Sequence, residues 1–108
     1  MRSAAYRRIV HRIRVRKEFI EHELESRNFE NWRVVTEIMC ATWFIRGQLE
    51  KMHENLDNEY YESDSDLTRR EYKALDKHID KLENYYWNIL YDKGNNINDE
   101  LLERRFEL

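Results

Sequence analysis

The residues of this chain that could do chemistry gather around His53. Glu50 precedes it by three positions, and on a helix that spacing lets both side chains reach one metal ion. A di-iron helical bundle needs two such Glu-x-x-His motifs and two further carboxylates, but the sequence holds a single motif. Glu18 and His22, one helical turn apart, are equally unspecific among 22 acidic residues and four histidines. We therefore predict no metal site and no cofactor.

A second arrangement places an arginine ahead of each of two histidines. Six residues separate Arg46 from His53, and five separate Arg16 from His22. This spacing resembles that of the all-α HEPN ribonucleases, in which a histidine follows an arginine after four to six residues. The resemblance would imply RNA cleavage with His53 as general acid or base and Arg46 stabilising the phosphate. Neither arginine is followed by the polar residue usual in that family, so a HEPN-like ribonuclease is kept only as an alternative.

Other catalytic signatures are missing from the sequence. Cys40, the only cysteine, lies in the apolar run of residues 38–45, where a thiolate is disfavoured. We predict a buried core thiol and, because a lone cysteine forms no internal disulfide, a reducing, cytoplasmic location. Two glycines cannot build a glycine-rich phosphate loop. The chain is accordingly predicted not to be an enzyme and to have no catalytic residue.

The elements that must hold these residues are predicted to be helices. The chain has 108 residues, 38% of them charged, with two Gly and no Pro, which favours one domain of long helices over residues 1–108. Apolar residues at 3,4 spacing predict a first helix over about residues 3–24 and a second over about residues 29–56, extending as far as residue 61. The break between them is weak, with Asn28 as the predicted N-cap. One long bent helix, or a coiled coil, is therefore an alternative.

A stronger signal starts the third helix. Thr68 and Glu71 form a capping box just before a regular apolar repeat. Gly94 is the predicted C-terminal stop of this helix, and a short fourth helix over about residues 99–106 follows it. Together these elements predict an all-α fold, an antiparallel helical bundle of three long helices plus a short C-terminal helix.

The apolar centre of the second helix carries a prediction of its own. Within residues 34–45 only Glu37 is charged, and a helix that is apolar nearly all round is normally surrounded by neighbours. We predict that this segment is the centre of the core, with Trp32, Trp43 and Phe44 filling space on its flanks. Such a helix can also bury more surface in a pair of chains than alone, so a homodimer is an alternative state.

Charge is strongly polarised along the chain. Residues 1–17 carry seven positive charges and no acid, whereas residues 47–66 carry seven acids against Lys51 alone. The basic segment is predicted to be a bundle helix with a solvated outer face, and a mitochondrial targeting peptide is an alternative. A folded hairpin would bring the two blocks together. Contact with a partner or with phosphate would fall to five arginines: Arg7, Arg8, Arg12, Arg14 and Arg16.

Two further surfaces are predicted to meet a partner. The acidic block would supply an interaction surface made of Glu54, Asp57, Glu59, Glu62 and Asp64. Tyrosine and tryptophan are favoured at binding hot spots, and the chain has more of them than its core stripes require. The aromatic interface candidates are Tyr60, Tyr61, Tyr85, Trp87 and Tyr91.

These observations predict a small non-enzymatic protein-interaction module. It would be an adaptor, an assembly subunit or an inhibitor that covers a partner's working surface, and a phage or mobile-element accessory protein would suit this description. The alternative is a nucleic-acid-binding protein whose N-terminal helix contacts phosphates through its basic face. The longest apolar run is far shorter than the roughly 20 residues that cross a bilayer, so no membrane partner is expected.

Overall fold

Three helices account for nearly all of the chain that the computed structural model describes, which is residues 2–27, 29 and 34–106, with side chains for 2–27, 29 and 35–94. These described residues contain α1 (Ala4–Ser26), α2 (Val34–Tyr61) and α3 (Arg69–Phe106), and no β-strand. The all-α class is confirmed. The molecule measures 66 × 20 × 20 Å. Its length follows from α3, because 38 residues at 1.5 Å each span about 57 Å.

Helix α1 forms where an N-cap and an apolar stripe coincide. Ser3 caps the helix, and its Oγ accepts a hydrogen bond from the Tyr6 amide at 3.1 Å. Ile9, Ile13 and Ile20 are buried, as their 3,4 spacing predicts. The basic N-terminal segment is thus an integral helix of the fold.

Helices α1 and α2 are separate and antiparallel. Directly after α1, Arg27 has extended backbone angles of φ −88° and ψ 140°. Its guanidinium joins Glu23, near the end of α1, to Glu37, in the first turn of α2. At the opposite end of the pair, Arg8 contacts Glu59. The alternative of one long bent helix is therefore wrong.

The start of α2 differs from the prediction. The helix begins at Val34, and Phe29 lies in a turn with its ring 4.6 Å from Lys93 Nζ. Phe29 packs against the core from this turn, although it is not part of the helix predicted to begin with it. The predicted N-cap Asn28 and the predicted flanking Trp32 lie outside the described residues.

Helix α3 begins at the predicted capping box. The Glu71 amide donates to Thr68 Oγ1 and the Thr68 amide donates to Glu71 Oε1, each at 3.1 Å. One residue later, the Tyr72 hydroxyl donates to Asp57 Oδ1 at 2.7 Å and ties α3 to α2. This hydrogen bond raises the pKa of Tyr72 above its ordinary value. Residues 62–68 form the loop between α2 and α3.

A separate fourth helix is not shown, because α3 continues through Gly94 to Phe106. Gly94 does not have the positive φ that a helix-ending glycine adopts. A Cβ at this position would meet only Ile38 Cδ1, at an ordinary 3.9 Å, so no close approach requires glycine. An isolated glycine costs about 1 kcal/mol relative to alanine inside a helix, which does not stop a helix this long.

The core is made of one buried stripe from each helix. The stripes of α2 and α3 have the spacing that the sequence predicts, and they pack against the isoleucines of α1. From α2 come Ala41, Ile45, Leu49, Met52 and Leu56. From α3 come Leu75, Ile79, Leu82, Tyr86 and Leu90.

The prediction that α2 is the centre of the core is wrong for its outer face. Cys40 is exposed, and Val35, Met39 and Trp43 are 58%, 57% and 73% exposed. Phe44, by contrast, packs against the core as predicted. In a three-helix arrangement each helix has two neighbours, so one side of every helix faces solvent whatever its sequence. The apolar circumference of α2 is therefore only partly covered.

One buried carboxylate joins the start of α3 to the start of α1. Glu71 is 7% exposed, and its oxygens accept from the Ser3 amide at 3.1 Å and from Ser3 Oγ at 2.9 Å. Burial raises the pKa of Glu71, but hydrogen bonds from Thr68 and Ser3 outweigh burial and hold that pKa below its ordinary value of 4.5. The same carboxylate thus serves the N-terminal ends of two helices.

A second acid completes this junction. Asp66, in the loop before α3, accepts from the Ala5 amide at 2.9 Å and from the Ala4 amide at 3.1 Å. These bonds, the one from Ala5 foremost, hold the pKa of Asp66 below its ordinary value. Because both acids bind the first turn of α1, α1 and α3 start at the same end and run parallel.

We expect Glu71→Gln to lower the free energy of unfolding by about 2 kcal/mol at pH 7, since an amide cannot accept every hydrogen bond made to the carboxylate. The folded-state pKa of Glu71 is depressed, so its contribution is complete above pH 4.5 and declines as the pH falls through the folded-state value. Urea unfolding of both proteins from pH 7 to pH 3 measures this difference. The exposed Glu54→Gln serves as control and should change stability by less than about 0.5 kcal/mol. A difference that persists unchanged at pH 3 would contradict the role given to the carboxylate.

A second stability prediction concerns Tyr86. The side chain is 0% exposed, and its hydroxyl has no hydrogen-bond partner within the described part of the chain. Burial, with the charge of Glu21 as a smaller cause, raises the pKa of Tyr86 to about 12. We expect the free energy of unfolding of Tyr86→Phe to equal that of the wild type or to exceed it by up to about 1 kcal/mol, because the substitution removes a buried hydroxyl that has no hydrogen-bond partner. Tyr72→Phe, which loses a 2.7 Å hydrogen bond, should be the less stable of the two in urea. The reverse order would disprove this reading.

Candidate functional site

The five arginines predicted as a contact surface divide between two sides of α1. Arg8 donates to Glu59 Oε1 from Nε at 3.2 Å and from Nη2 at 2.6 Å. Arg12 Nη1 lies 3.9 Å from Glu59 Oε2, and Arg16 Nη1 donates to Gln48 Oε1 at 2.9 Å. These three arginines therefore face α2, and they bring the basic and acidic blocks of the chain together.

Glu59 is the reason that Arg8 is held so firmly. The glutamate is 5% exposed, and its hydrogen bond raises the pKa of Arg8 above the ordinary value. A buried carboxylate is costly without a paired cation, so this contact is structural. Glu59 consequently cannot belong to an exposed acidic surface, contrary to the sequence prediction.

The rest of the predicted acidic surface is smaller than expected. Asp57 is half-buried and accepts the hydrogen bond of Tyr72. Glu54, Glu62 and Asp64 are exposed, and Glu54 lies 3.5 Å from Lys51. Three carboxylates thus remain available to a partner at this end of the molecule.

The other side of α1 forms a groove with α3. We call it the cationic groove; it has a volume of about 570 Å³ and is lined by Arg14 and Lys17 of α1 and by Lys77, His78 and Lys81 of α3. None of its lining residues is acidic. Its remaining lining is apolar or aromatic: Tyr6, Val10, Ile13, Ala74 and Leu75.

An adjoining hollow extends the positive charge along α1. It has a volume of about 480 Å³ and contains Arg7 and Arg14 from the predicted set, together with Arg2 and His11. Arg2 lies over the Tyr6 ring at 4.6 Å from its centre. Of the five predicted arginines, Arg7 and Arg14 are therefore the two on the open side.

Sequence reasoning missed the contribution of α3 to this groove. Lys77, His78 and Lys81 resemble an ordinary solvated helix face when α3 is considered alone. Their 3,4 spacing beside the buried Leu75 and Ile79 places them along one edge of the helix. The basic edge of α3 meets the basic edge of α1 because the two helices pack in parallel, and the sequence of α3 alone does not show this packing.

A second exposed surface is apolar. We call it the apolar strip: Val35, Met39 and Trp43 on α2, with Tyr91 on α3, which is 68% exposed. The three α2 residues recur every four positions and so share one side of that helix. Because Gly94 lies opposite Ile38 in the antiparallel pair, Tyr91 falls at the same level as the strip.

The other aromatic candidates have mixed positions. Tyr61 and Tyr85 are exposed, at 76% and 58%. Tyr60 packs on the Tyr72 ring with centres 4.4 Å apart, and Trp87 Nε1 donates to Glu83 at 3.2 Å. Tyr60 and Trp87 are thus partly occupied inside the protein. The full set of five aromatics does not form one surface.

The histidine singled out for metal chemistry lies in the groove between α2 and α3. His53, Asp80 and Glu83 each place one ligand atom within 4.8 Å of the others. Ligands at about 2.1 Å from a tetrahedral ion lie only about 3.4 Å apart, so these groups would have to close in. Glu83 is already bound by Trp87, and Glu50 of the sequence motif is not in this group. Among the described residues, His53, Asp80 and Glu83 are the group that could hold a metal ion.

The same groove bears on the ribonuclease alternative. Arg46 and His53 both line it, and His53 Nδ1 lies 3.4 Å from Asp76 Oδ1. The groove also holds Glu50 and Glu83, whose negative charges oppose a phosphodiester. The second pair is divided, since Arg16 is bound to α2 and His22 is exposed on α1.

No family model matches this chain, and no curated protein or solved structure is similar enough to count as a match. Within the part of the chain that the structure describes, every helix is too short or too polar to cross a membrane. Proposals about function therefore rest on the cationic groove and the apolar strip.

We expect the arginines of α1 to separate into structural and free groups in a melting experiment. Arg8→Ala should lower Tm by several degrees because it leaves Glu59 buried and without its closest cation. Arg14→Ala, which loses no ion pair among the described residues, should leave Tm nearly unchanged. Adding Glu59→Gln to Arg8→Ala should restore part of the loss. Equal effects of the two single substitutions would contradict this division.

Proposed function

We propose that this protein is a non-enzymatic binding module that docks on another protein through the apolar strip. The observation that carries the proposal is the 73% exposure of Trp43, beside Met39 and Val35 on the same side of α2. Isolated exposed apolar residues are normal on soluble proteins, whereas contiguous ones mark interaction sites. Val35, Met39 and Trp43 follow one another at one-turn intervals on one side of α2, so they belong to the second case.

The composition of the strip fits a binding hot spot. Trp43 and Tyr91 combine a large apolar area with a polar tip, and Met39 adapts its shape to a partner. Charged residues lie at the border, with Arg46 following Trp43 on α2 and Asp92 following Tyr91 on α3. An apolar centre with a polar rim is the usual anatomy of an interface.

The geometry favours a helix as the docking element of the partner. Val35 and Trp43 are eight positions, or about 12 Å, apart along α2, and Tyr91 of α3 lies at the same level along the helix pair. An amphipathic helix laid along such a groove anchors side chains at one-turn intervals. A partner helix would supply the neighbour that α2 lacks on this side. By covering or bridging the partner, the protein would act as an inhibitor, adaptor or assembly subunit.

A second copy of this chain is the closest alternative occupant. The strip contains no charge, so two copies could pair without like-charge repulsion. Nucleic-acid binding through all five arginines of α1 has less support, since three of them contact α2. Ribonuclease activity has less support still, because acids line the groove that holds Arg46 and His53.

The test compares two aromatic residues of α2 with nearly equal exposure. A photo-crosslinking residue at position 43 should capture one defined protein in the native cell, and the same group at position 61 should not. With that protein purified, Trp43→Ser should weaken binding at least tenfold, while Tyr61→Ser should change it less than twofold. Both substitutions fall on exposed side chains, so both variants should fold as the wild type does.

Light scattering distinguishes a different protein from a second copy of this chain as the occupant of the apolar strip. A monomer with position-43 crosslinks to another protein supports the proposal. A dimer that Trp43→Ser dissociates would assign the strip to self-association, and equal effects of Trp43→Ser and Tyr61→Ser would reject the strip as the interface.

A further inference from the structure

We propose that the cationic groove binds the sugar–phosphate backbone of single-stranded nucleic acid. This activity is separate from the proposed protein docking, because the groove is lined by residues of α1 and α3 and none of the four residues of the apolar strip lines it. It also involves residues of α3 that the basic N-terminal segment does not contain.

The first argument is the sign of the charge in the groove. Arg14, Lys17, Lys77 and Lys81 bring four positive charges to the groove, and none of the ten lining residues is acidic. The chain as a whole has a net charge of −3, so this local concentration of positive charge runs against its average. A groove lined by one sign of charge attracts ligands of the opposite sign.

The second argument is that these cations are not used inside the protein. Among the described residues Arg14, Lys77 and Lys81 make no ion pair, and Lys17 has only a distant contact of 3.9 Å to Glu21. On the other side of α1, by contrast, Arg8 is paired with a buried acid. Charge that stabilises the fold and charge that remains free are thus on opposite sides of one helix.

The third argument is the spacing of the charges. Lys77 and Lys81 are one turn apart, about 6 Å along α3, and Arg14 and Lys17 are about 4.5 Å apart along α1. Two parallel rows of cations therefore flank the groove. An extended phosphodiester chain carries one charge per nucleotide and can place successive phosphates between such rows.

The shape and the aromatic residues favour a single strand over a duplex. Packed helices have axes about 8–10 Å apart, so the groove between them is narrower than a whole duplex, whose major groove alone is about 12 Å wide, whereas a single strand can lie along it. Tyr6 lines the groove, and Tyr85 follows Lys81 by one turn with its ring 58% exposed. Aromatic rings beside a positive groove are the usual platform for unpaired bases.

Binding to a labelled 12-nucleotide single strand, DNA and RNA in parallel, tests the proposal by fluorescence anisotropy. We expect micromolar affinity at 50 mM salt and a slope of log K against log salt near −3, since four cations each contribute about 0.7 on single strands. Lys81→Glu should weaken binding at least fivefold and make the slope shallower by about 1. Tyr85→Ala should weaken binding without changing the slope, because stacking releases no counterions.

Lys51→Glu is the matched control. It makes the same change in net charge at an exposed lysine of α2, outside the groove, so it should leave affinity within twofold. Trp43→Ser should likewise bind the strand as the wild type does, so failure of the protein-docking proposal would not affect this result.

Four results would overturn the proposal. One is the absence of binding at 50 mM salt, and another is an equal loss for Lys51→Glu and Lys81→Glu. The third is tighter binding to a glutamate-rich peptide of equal charge, which would assign the groove to an acidic protein segment. A duplex that binds as tightly as the single strand would remove the argument from shape and reject the single-strand assignment.

Discussion

The carboxylate of Glu71 is the contact on which the rest of the arrangement depends. It completes the capping box of α3 through Thr68 and accepts two hydrogen bonds from Ser3, the N-cap of α1. The first turns of two helices each leave amides without intrahelical partners, and their aligned dipoles favour negative charge nearby. Bringing two such ends to one acid, with Asp66 beside it, fixes α1 and α3 as parallel neighbours. Because α2 connects the end of α1 to the start of α3, it must run in the opposite direction to both helices. This one junction therefore sets the directions of all three helices.

The parallel pairing also explains why the cationic groove exists. Basic edges on two helices repel one another unless other contacts hold the helices together. Here the junction at one end and the shared core along the length provide those contacts, while Arg8 and Glu59 neutralise charge on the far side of α1. Three acids of the acidic block therefore stabilise the fold: Glu59 is buried, Asp57 binds Tyr72 and Asp66 caps α1. Folding converts a charge asymmetry along the sequence into one around the axis of α1.

Local signals in the sequence were sufficient for the all-α class and for most of the three helices but insufficient for the surfaces. The Thr68 capping box, the buried isoleucines of α1 and the apolar stripe of α3 depend on residues a few positions apart, which a sequence displays directly. The sequence suggested a helix end at Gly94, but a glycine ends a helix in this way when it adopts positive φ. Whether it does so depends on whether the residues after it are more stable inside the helix or outside it. Cys40 misled because burial depends on how many neighbours a helix has, which the composition of one helix cannot reveal. The groove escaped notice for the same reason, since Lys81 and Arg14 meet only through tertiary packing.

Helix α3 is the element shared by the two surfaces on which the proposals rest. Lys77 and Lys81 line the groove that α3 forms with α1, and the exposed Tyr91 follows Lys81 by ten residues on the same helix. Ten residues span about 15 Å of an α-helix, so a strand in the groove and a partner on the apolar strip would contact different parts of α3 along its length. The two surfaces also differ in kind, since phosphate contacts weaken with salt and apolar contacts do not. A single long helix can in this way present a salt-sensitive and a salt-insensitive surface at once, and a binding module built like this can hold two ligands without any change in its fold.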